Sequence, residues 1–580
     1  TGNLDQLMRD DIEKFIEYNL VDVELVVDFD KKLQFIDLCR GICHAGHVPY
    51  EDFVYSSKYL EGALLTYLRR KNLVAPNKPA DREEKMQKIR DNNEEKFIGA
   101  YVKPPIVGKY EWIYDLDLTS LYPSIIMTLN ISPETKIGKI NNWDANDFLK
   151  GKVDSYTIGD DTITKENLKK YLEESKFSVS SNGVLYQTDK VGCIPGILDL
   201  WFAQRVKYKD EMKKYGKAGN KTKYAFFHKR QLVQKILLNS LYGVLGLPAF
   251  RFYDIDNAEA VTTTGQTVIK STADMANIKY NKELGDPELD SNIYIDTDSV
   301  FFSATPLLDK RIPTWRDNNQ DTIAEYVNDI AEEMQDYLND FYDILSPKIF
   351  NVDKNKHRLE IKKEYVAKAG LWIAKKRYAQ WIISDNGVPC DRLDVKGLDV
   401  KRSSFPKAFQ ECMGTVLIDI LKGKTEEEIS DYVVNFKKEM VNKDTKDIAK
   451  NSAVKNLSKY LPKGKRQLFQ FAKGAPAHVK AGISYNDCLK HFNSPFKYEP
   501  MKNGDKIKWV YLKNNPLGLD GLGFTGYSDP PEIVDFIAKY IDHNKLFERE
   551  LNGKLQDFFD AIGWGQVVSE QRVAEKFFTF

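Results

Sequence analysis

Residues 1 to about 90 mix charged and apolar positions in a mostly helical pattern that ends at a polar break, Ala75-Pro76-Asn77-Lys78-Pro79. The pattern then changes. Phe97–Val107 and Glu111–Leu118 carry strand signals, and Pro123 opens a short helix reaching Leu129, because a first-turn proline gives up no hydrogen bond. Residues 198–244 read as two long helices joined by the turn-rich tip Tyr215-Gly216-Lys217-Ala218-Gly219-Asn220. Strand signals return at Ile293–Phe302 and Tyr378–Ser384, and the region after about residue 400 is mainly helical. Between Asp321 and Leu345, Ile323, Val327, Ile330, Met334 and Leu338 recur at spacings of three and four, the stripe of a helix with one buried side. With no internal repeat, these elements predict an α+β fold of several domains.

Length and composition narrow the class. A chain of 580 residues, 42% of them hydrophobic, is enough for about three to five domains and excludes fibrous and disordered classes. No stretch approaches the roughly 18 consecutive apolar residues of a membrane-spanning helix, and the polar start at Thr1 lacks a secretory pattern. Six scattered cysteines, at 39, 43, 193, 390, 412 and 488, suggest no disulfide framework. These features predict a soluble protein of a reducing, cytoplasmic compartment. A start at Thr1 instead of Met suggests a fragment or a processed product.

The net charge is zero, from 85 Lys and Arg against 85 Asp and Glu, but the charges are segregated. Arg205 to Lys235 holds eleven bases and two acids; Lys362 to Lys407 holds eleven and five; Asn451 to Lys480 holds seven and none. Asp321 to Leu345 holds eight acids and no base. Charge runs of this kind are often solvated faces. Aromatics interleaved with the first basic block (Tyr208, Tyr215, Tyr224, Phe226, Phe227) favour a polyanionic partner.

Two acidic strings carry candidate chemistry. In Tyr114-Asp115-Leu116-Asp117-Leu118-Thr119-Ser120-Leu121-Tyr122-Pro123-Ser124 an apolar strand delivers a carboxylate at its end. In Tyr294-Ile295-Asp296-Thr297-Asp298-Ser299-Val300 an acidic turn joins two apolar segments as a hairpin, and Asp296 and Asp298 share a face unless the turn separates them. Carboxylates at adjacent strand ends suit two divalent cations about 4 Å apart, which serve in-line phosphoryl transfer. Either string alone is equally an ordinary turn. A third pattern shifts the balance: Lys235, Asn239 and Tyr242 stand at i, i+4 and i+7, with Arg205 and Lys209 at i, i+4 on the preceding helix. Two decoys fail on spacing. Cys39, Cys43, His44 and His47 lie within too little helix to aim at one zinc ion, and Gly216 to Thr222 misses the phosphate-loop pattern.

In combination and order, Ser-Leu-Tyr-Pro-Ser-Ile, Asn-Ser-Leu-Tyr-Gly and Asp-Thr-Asp-Ser resemble the motifs of family B DNA polymerases over essentially the whole chain. Asn130-Ile131-Ser132-Pro133-Glu134-Thr135 makes the replicative polymerases of tailed phages the most similar. The resemblance implies a right-hand polymerase with residues 1–90 as exonuclease-domain remnant and connector. Residues 91–195 and 248–399 are then a palm split by fingers at 196–247, and 400–580 a thumb. It implies template-directed DNA synthesis, with Asp117, Asp298 and the Leu118 carbonyl holding two Mg²⁺, for which Mn²⁺ can substitute, and Asp296 contributing less. Ser120, Leu121, Tyr122, Arg205, Lys209, Lys235, Asn239 and Tyr242 are implied to bind the deoxynucleoside triphosphate, Tyr122 excluding a 2′-hydroxyl. Lys376, Arg377, Tyr378, Lys396 and Lys401 are implied to hold primer-template DNA. Glu364 matches loosely an acidic residue near the metals.

The family pattern is incomplete. Tyr18-Asn19-Leu20-Val21-Asp22 resembles only the third motif of a proofreading exonuclease, so Asp22 is read as a remnant whose companions lie elsewhere, including on a separate chain. This chain alone is therefore expected to lack proofreading. Phe577, Phe578 and Phe580 resemble a sliding-clamp-binding tail, with packing on the chain's own last domain as the alternative. The competing functions are a catalytically silent primer-template or clamp-binding module, and an RNA-synthesising enzyme. Deleting the last six residues should reduce clamp-stimulated processivity in a primer-extension assay and leave distributive synthesis intact; equal loss of both rules the clamp assignment out.

Overall fold

In the computed structural model, described here for residues 4–90, 98–462, 466–494 and 498–568, the first third of the chain begins with helices. These include α1 (Ile12–Leu33), α2 (Phe35–Gly46) and α3 (Ser56–Arg70). Strand β1 (Gly108–Leu118) follows, running into α4 (Leu121–Leu129). Pro123 is the third residue of α4 and not its first, because the helix starts at Leu121 after Ser120 in the left-handed region, φ 50°. Phe97 lies outside the described residues, and 98–107 is not a strand. Pro104 and Pro105 cannot donate to a ladder, so the segment runs beside a sheet edge as irregular chain, with Lys103 and Ile106 donating backbone hydrogen bonds to Ile295 and Ile293.

Short strands β2 (Lys136–Asn141), β3 (Ser155–Ile158), β4 (Asp161–Thr164), β5 (Phe177–Val179) and β6 (Val184–Gln187) form a second sheet in the order β4-β3-β2-β6-β5. The two long helices follow as α5 (Cys193–Lys217) and α6 (Lys221–Leu245). Asn130 pins their base. Its side-chain amide donates to the carbonyls of Gln187 (2.6 Å) and Lys190 (2.7 Å) and its oxygen accepts from Gly192. Glu134 accepts from the first amide of α5, where a carboxylate complements the helix dipole. The Asn130–Thr135 string is therefore the clamp that sets where the arm of α5 and α6 leaves the body.

Helix α7 (Ile255–Leu284), hairpin β7 (Asn292–Asp296) and β8 (Ser299–Ser303), and α8 (Gln320–Ile349) come next. The main sheet is completed by β9 (Ile361–Ala374), β10 (Arg377–Asp385) and β11 (Val388–Lys396). It is antiparallel, in the order β11-β10-β9-β1-β8-β7, so β1 lies between two strands that follow it by more than 180 residues. On one face α7 and α8 close the core: the Tyr114 and Tyr280 hydroxyls meet at 2.8 Å and those of Thr272 and Tyr342 at 2.7 Å. All five residues of the stripe predicted in α8 are buried there. The opposite face holds an aromatic cluster of Tyr294, Phe301, Trp372 and Tyr378.

The last third is helical with an exception. Around α9 (Lys407–Leu421) and α10 (Ala477–His491) it builds a three-stranded sheet, β12 (Lys450–Ala453), β13 (Lys506–Tyr511) and β14 (Gly521–Phe524), ordered β12-β13-β14. Helix α11 (Gly553–Ala561) packs back onto this core, which continues into Ala369 and Leu371 of β9. Among the described residues no helix is long and apolar enough to cross a membrane.

At the β9–β10 turn Lys376 is left-handed, φ 59°, and Gly397 lies against its carbonyl. A Cβ at 397 would stand 1.9 Å from that oxygen, and φ there is itself +64°. Only glycine fits. Gly397→Ala should therefore cost at least about 2 kcal/mol, read as a lowered thermal melting temperature; an unchanged melt would show that the turn is not held this way.

Candidate active site

The centre of the molecule is the junction of β1 with the β7–β8 hairpin. Asp117 pairs in register with Ser299, whose hydroxyl donates to its carboxylate at 2.9 Å, and Leu118 donates its amide to the Asp298 carbonyl at 2.9 Å. These two bonds weld two strand ends together and set the Asp117 and Asp298 carboxylates side by side. Between Asp296 and Asp298 the chain turns tightly, with Thr297 at φ 66° and the Asp298 amide donating to the Asp296 carbonyl. The turn separates the two acids of the hairpin: Asp296 receives the Lys376 ammonium at 2.7 Å, and Asp298 stays with Asp117.

Charge crowding follows from this placement. Burial, then the charge of Asp298, raises the Asp117 carboxyl to about 7, against the Ser299 hydrogen bond and the Lys235 charge, which pull it down. Burial, with Asp296 and Glu364 adding to it, raises Asp298 to about 6. Asp115 is different. It is fully buried, accepts the Tyr365 amide at 2.6 Å at a bulge between β1 and β9, and is pushed well above the carboxylate range by burial and by Glu364. Asp115 is a buried strut of the sheet, whereas the other two carboxyls are raised only to about 7 and about 6.

Above them the α5–α6 arm presents cations. Arg205 is half-buried with its Nε lacking an acceptor, and burial depresses its pKa. Lys209 is depressed by burial and by the like charges of Arg205, Lys213, Lys362 and Lys235. Among the described residues none of Arg205, Lys209 and Lys235 has an acidic partner, and Asn239 is exposed one turn beyond Lys235. Tyr122 and Tyr242 pack at 4.4 Å with planes 46° apart, and burial raises both hydroxyls. Gly265 of α7 makes room, since a Cβ there would lie 3.2 Å from the Tyr122 ring. Ser120, Leu121 and Tyr122 form the start of α4, whose first amides have no partner within the helix.

The remaining candidates divide. Lys376 lies beside the site, tied to Asp296, and its amide donates to the Tyr294 hydroxyl at 2.8 Å. Arg377 pairs with Asp557 of α11 at 2.8 Å, fastening the hairpin to the last third. Tyr378 is 6% exposed and stacks on Trp372, so the structure seats it in the sheet's aromatic core and not on an open face, because its position in β10 points inward. Lys396 and Lys401 are exposed beyond it. Asp22 stands exposed on α1, far along the chain from any of these. Phe577, Phe578 and Phe580 lie outside the described residues. Sequence reading missed Ser299 as the partner of Asp117, although it ends the acidic string; it missed Lys213, one turn after Lys209 on the same helix, and Lys362, which only the fold brings to the arm.

Chemically, an acidic floor under an unpaired cationic wall can hold a polyphosphate together with divalent cations. Among the described residues no group of three or more His, Cys, Asp or Glu is placed to hold a metal alone. Two carboxylates short of compensation fit a hard cation that completes its shell with water and substrate oxygens. This class of site agrees with the sequence comparisons, and the chain belongs to DNA polymerase family B, whose profile matches residues 54–550. It is 26% identical to the DNA-directed DNA polymerase of Enterobacteria phage T4 and 25% identical to that of Escherichia phage RB69, each over 97% of this chain. It is 28% identical to a DNA polymerase of Thermococcus gorgonarius over 72% of its length. The chain spans 65% and 64% of the length of the two phage proteins and 44% of the archaeal one.

The raised carboxyls make a signed prediction. In the folded protein Asp117 holds its proton up to about 7 instead of 3.8, so without metal the folded state loses stability as pH rises through that window. Asp117→Asn removes the cost. In chelator it should raise stability near pH 8 by on the order of 2–4 kcal/mol, with the gain vanishing toward pH 4 in thermal melts; a loss of stability at pH 8 would contradict the charge crowding.

Proposed function

We propose that this chain catalyses template-directed addition of deoxynucleotides to a primer 3′-hydroxyl, releasing pyrophosphate. The observation that carries the reading is the pair of crowded carboxylates, Asp117 and Asp298, beneath the unpaired cations Arg205, Lys209 and Lys235. When bound, two Mg²⁺ at Asp117, Asp298 and the Leu118 carbonyl supply charge neutralisation and activation of the attacking hydroxyl. The chain's own residues then divide the work. Arg205, Lys209, Lys235 and Asn239 grip the phosphates from the arm, a fixed grip suited to a transition state whose charge is spread over phosphoryl oxygens. Ser120 and Leu121 bring the start of α4 to the phosphates. Tyr122, propped by Tyr242 and Gly265, lies under the sugar and excludes a 2′-hydroxyl, and Tyr242 packs at the nascent pair. Asp296 holds Lys376 near the primer end.

In this reading residues 91–195 and 248–399 are the palm, 196–247 the fingers, 400–580 the thumb, and 1–90 an exonuclease remnant and connector. Lys376, Lys396 and Lys401 contact the duplex backbone, with Arg377 holding the hairpin that carries Lys376. Viral DNA replication in a host cytoplasm, with a sliding clamp taking the tail, is the setting that fits the phage relatives. A separate polypeptide covering α1 also belongs to the reading. That helix buries none of its residues, and Leu20, Val23, Val26 and Phe29 stand exposed on several sides, the composition of a helix made to be enclosed.

Primer extension with deoxynucleotides and with ribonucleotides tests this. The intact chain should incorporate deoxynucleotides and Asp298→Ala should not, while Tyr122→Val should raise ribonucleotide use at least about tenfold. No incorporation by the intact chain would leave a silent binding module, and equal use of both nucleotides an RNA-synthesising enzyme.

A further inference from the structure

The α5–α6 arm has a second face. Where it packs against α2 and α3 lies a half-open cavity of about 740 Å³. Tyr208 of α5 and Phe226 of α6 supply aromatic surface, and Arg40 of α2, Arg70 of α3 and Arg230 of α6 supply charge. The Lys229 ammonium and the Asp37 carboxylate pair across it at 2.7 Å and cancel, so the three arginines leave the lining cationic. Among the described residues none of the three forms a salt bridge, although Arg40 stands near enough to Asp37 to help Lys229 lower its carboxyl. The Arg230 guanidinium lies instead over the Phe226 ring, 4.7 Å from its centroid, and 5.8 Å from that of Tyr208.

We infer that this cavity binds a nucleotide, at a site separate from the one built on Asp117 and Asp298. The lining matches two of its parts: arginines take the phosphate, and the Tyr208 and Phe226 rings take the base by stacking. An acidic peptide would answer the charge but would leave the rings unused. The residues on α5 and α6 differ from those that carry Arg205, Lys209, Lys235 and Asn239, so both faces of the arm can be occupied together. A nucleotide in the cavity bridges the arm to α2 and α3 and restrains it. The inference does not depend on the catalytic reading.

A nucleotide free in solution and one presented by a single DNA strand offer the same phosphate and base, so both are tested. The whole chain is photo-cross-linked, without metal, to iododeoxyuridine monophosphate in one arm and to a short single-stranded oligonucleotide containing iododeoxyuridine in the other, and labelled peptides are mapped by mass spectrometry. Label is expected on Tyr208 or Phe226. Label in both arms assigns the site to the nucleotide itself, and label in the oligonucleotide arm alone assigns it to a strand. The double variant Arg40→Ala, Arg230→Ala should lower that label about tenfold, with the thermal melt and cross-links elsewhere on the chain unchanged. Absence of label from both residues in both arms overturns the inference, and so does label undiminished in the double variant. Primer extension measured on the same samples keeps a failure here distinct from a failure of the catalytic assignment.

Discussion

Two backbone-anchored bonds, Leu118 amide to Asp298 carbonyl and Ser299 hydroxyl to Asp117 carboxylate, force a pair of like charges into one small volume. Much of the surrounding structure can be understood as the support this needs. A carboxylate pair that repels itself does not stay together on a loop. Here it is held because β1 is a central strand, hydrogen-bonded on both sides, and because a full layer of helices closes the face behind it. Asp115 shows the same economy. One strand step-pair from Asp117, it is sealed in the core and satisfies a bulge amide, so it adds no third exposed charge at the strand end.

The opposing cations are mounted differently. Arg205, Lys209 and Lys235 sit on an arm that meets the body mainly through its base, where Asn130 and Glu134 fasten the start of α5. Acid and base are thus placed on separate elements, one rigid and one a pair of helices anchored at one end. Lys209 is depressed by burial and by its cationic neighbours, whose crowding a polyanion between them relieves. The crowding on each side of the site is complementary, and neither side neutralises the other through direct contact: Lys235 lowers Asp117 only as the last of five influences.

Much of this was legible in the residues. Local pattern located the α8 stripe, the two arm helices and the β7–β8 hairpin, the first by its buried spacing of three and four and the last by apolar segments on either side of an acidic turn. The candidate acids were visible because their strings end apolar strands. Other parts were not legible. Residues 98–107 have strand-like composition, but two prolines exclude a ladder. The strands β2 to β6 are only three to six residues long, too short to show alternation. Resemblance groups Tyr378 with Lys376 and Arg377, and only the pleat of β10 shows its ring packed on Trp372.

What the sequence by itself determined is the chemistry available: which carboxylates end strands, which cations repeat along a helix, and that no local partner neutralises them. Those properties are local, because spacing along a helix or strand decides which residues share a face. Only the tertiary structure decided which of four aspartates would be crowded together, which would be buried in the sheet, and which would be tied to Lys376. That choice depends on the Thr297 turn, on the bulge opposite Asp115 and on strands joined across more than 180 residues of chain. Pairing at such distance leaves no periodic trace in either strand, so it can be found only where the chain has folded.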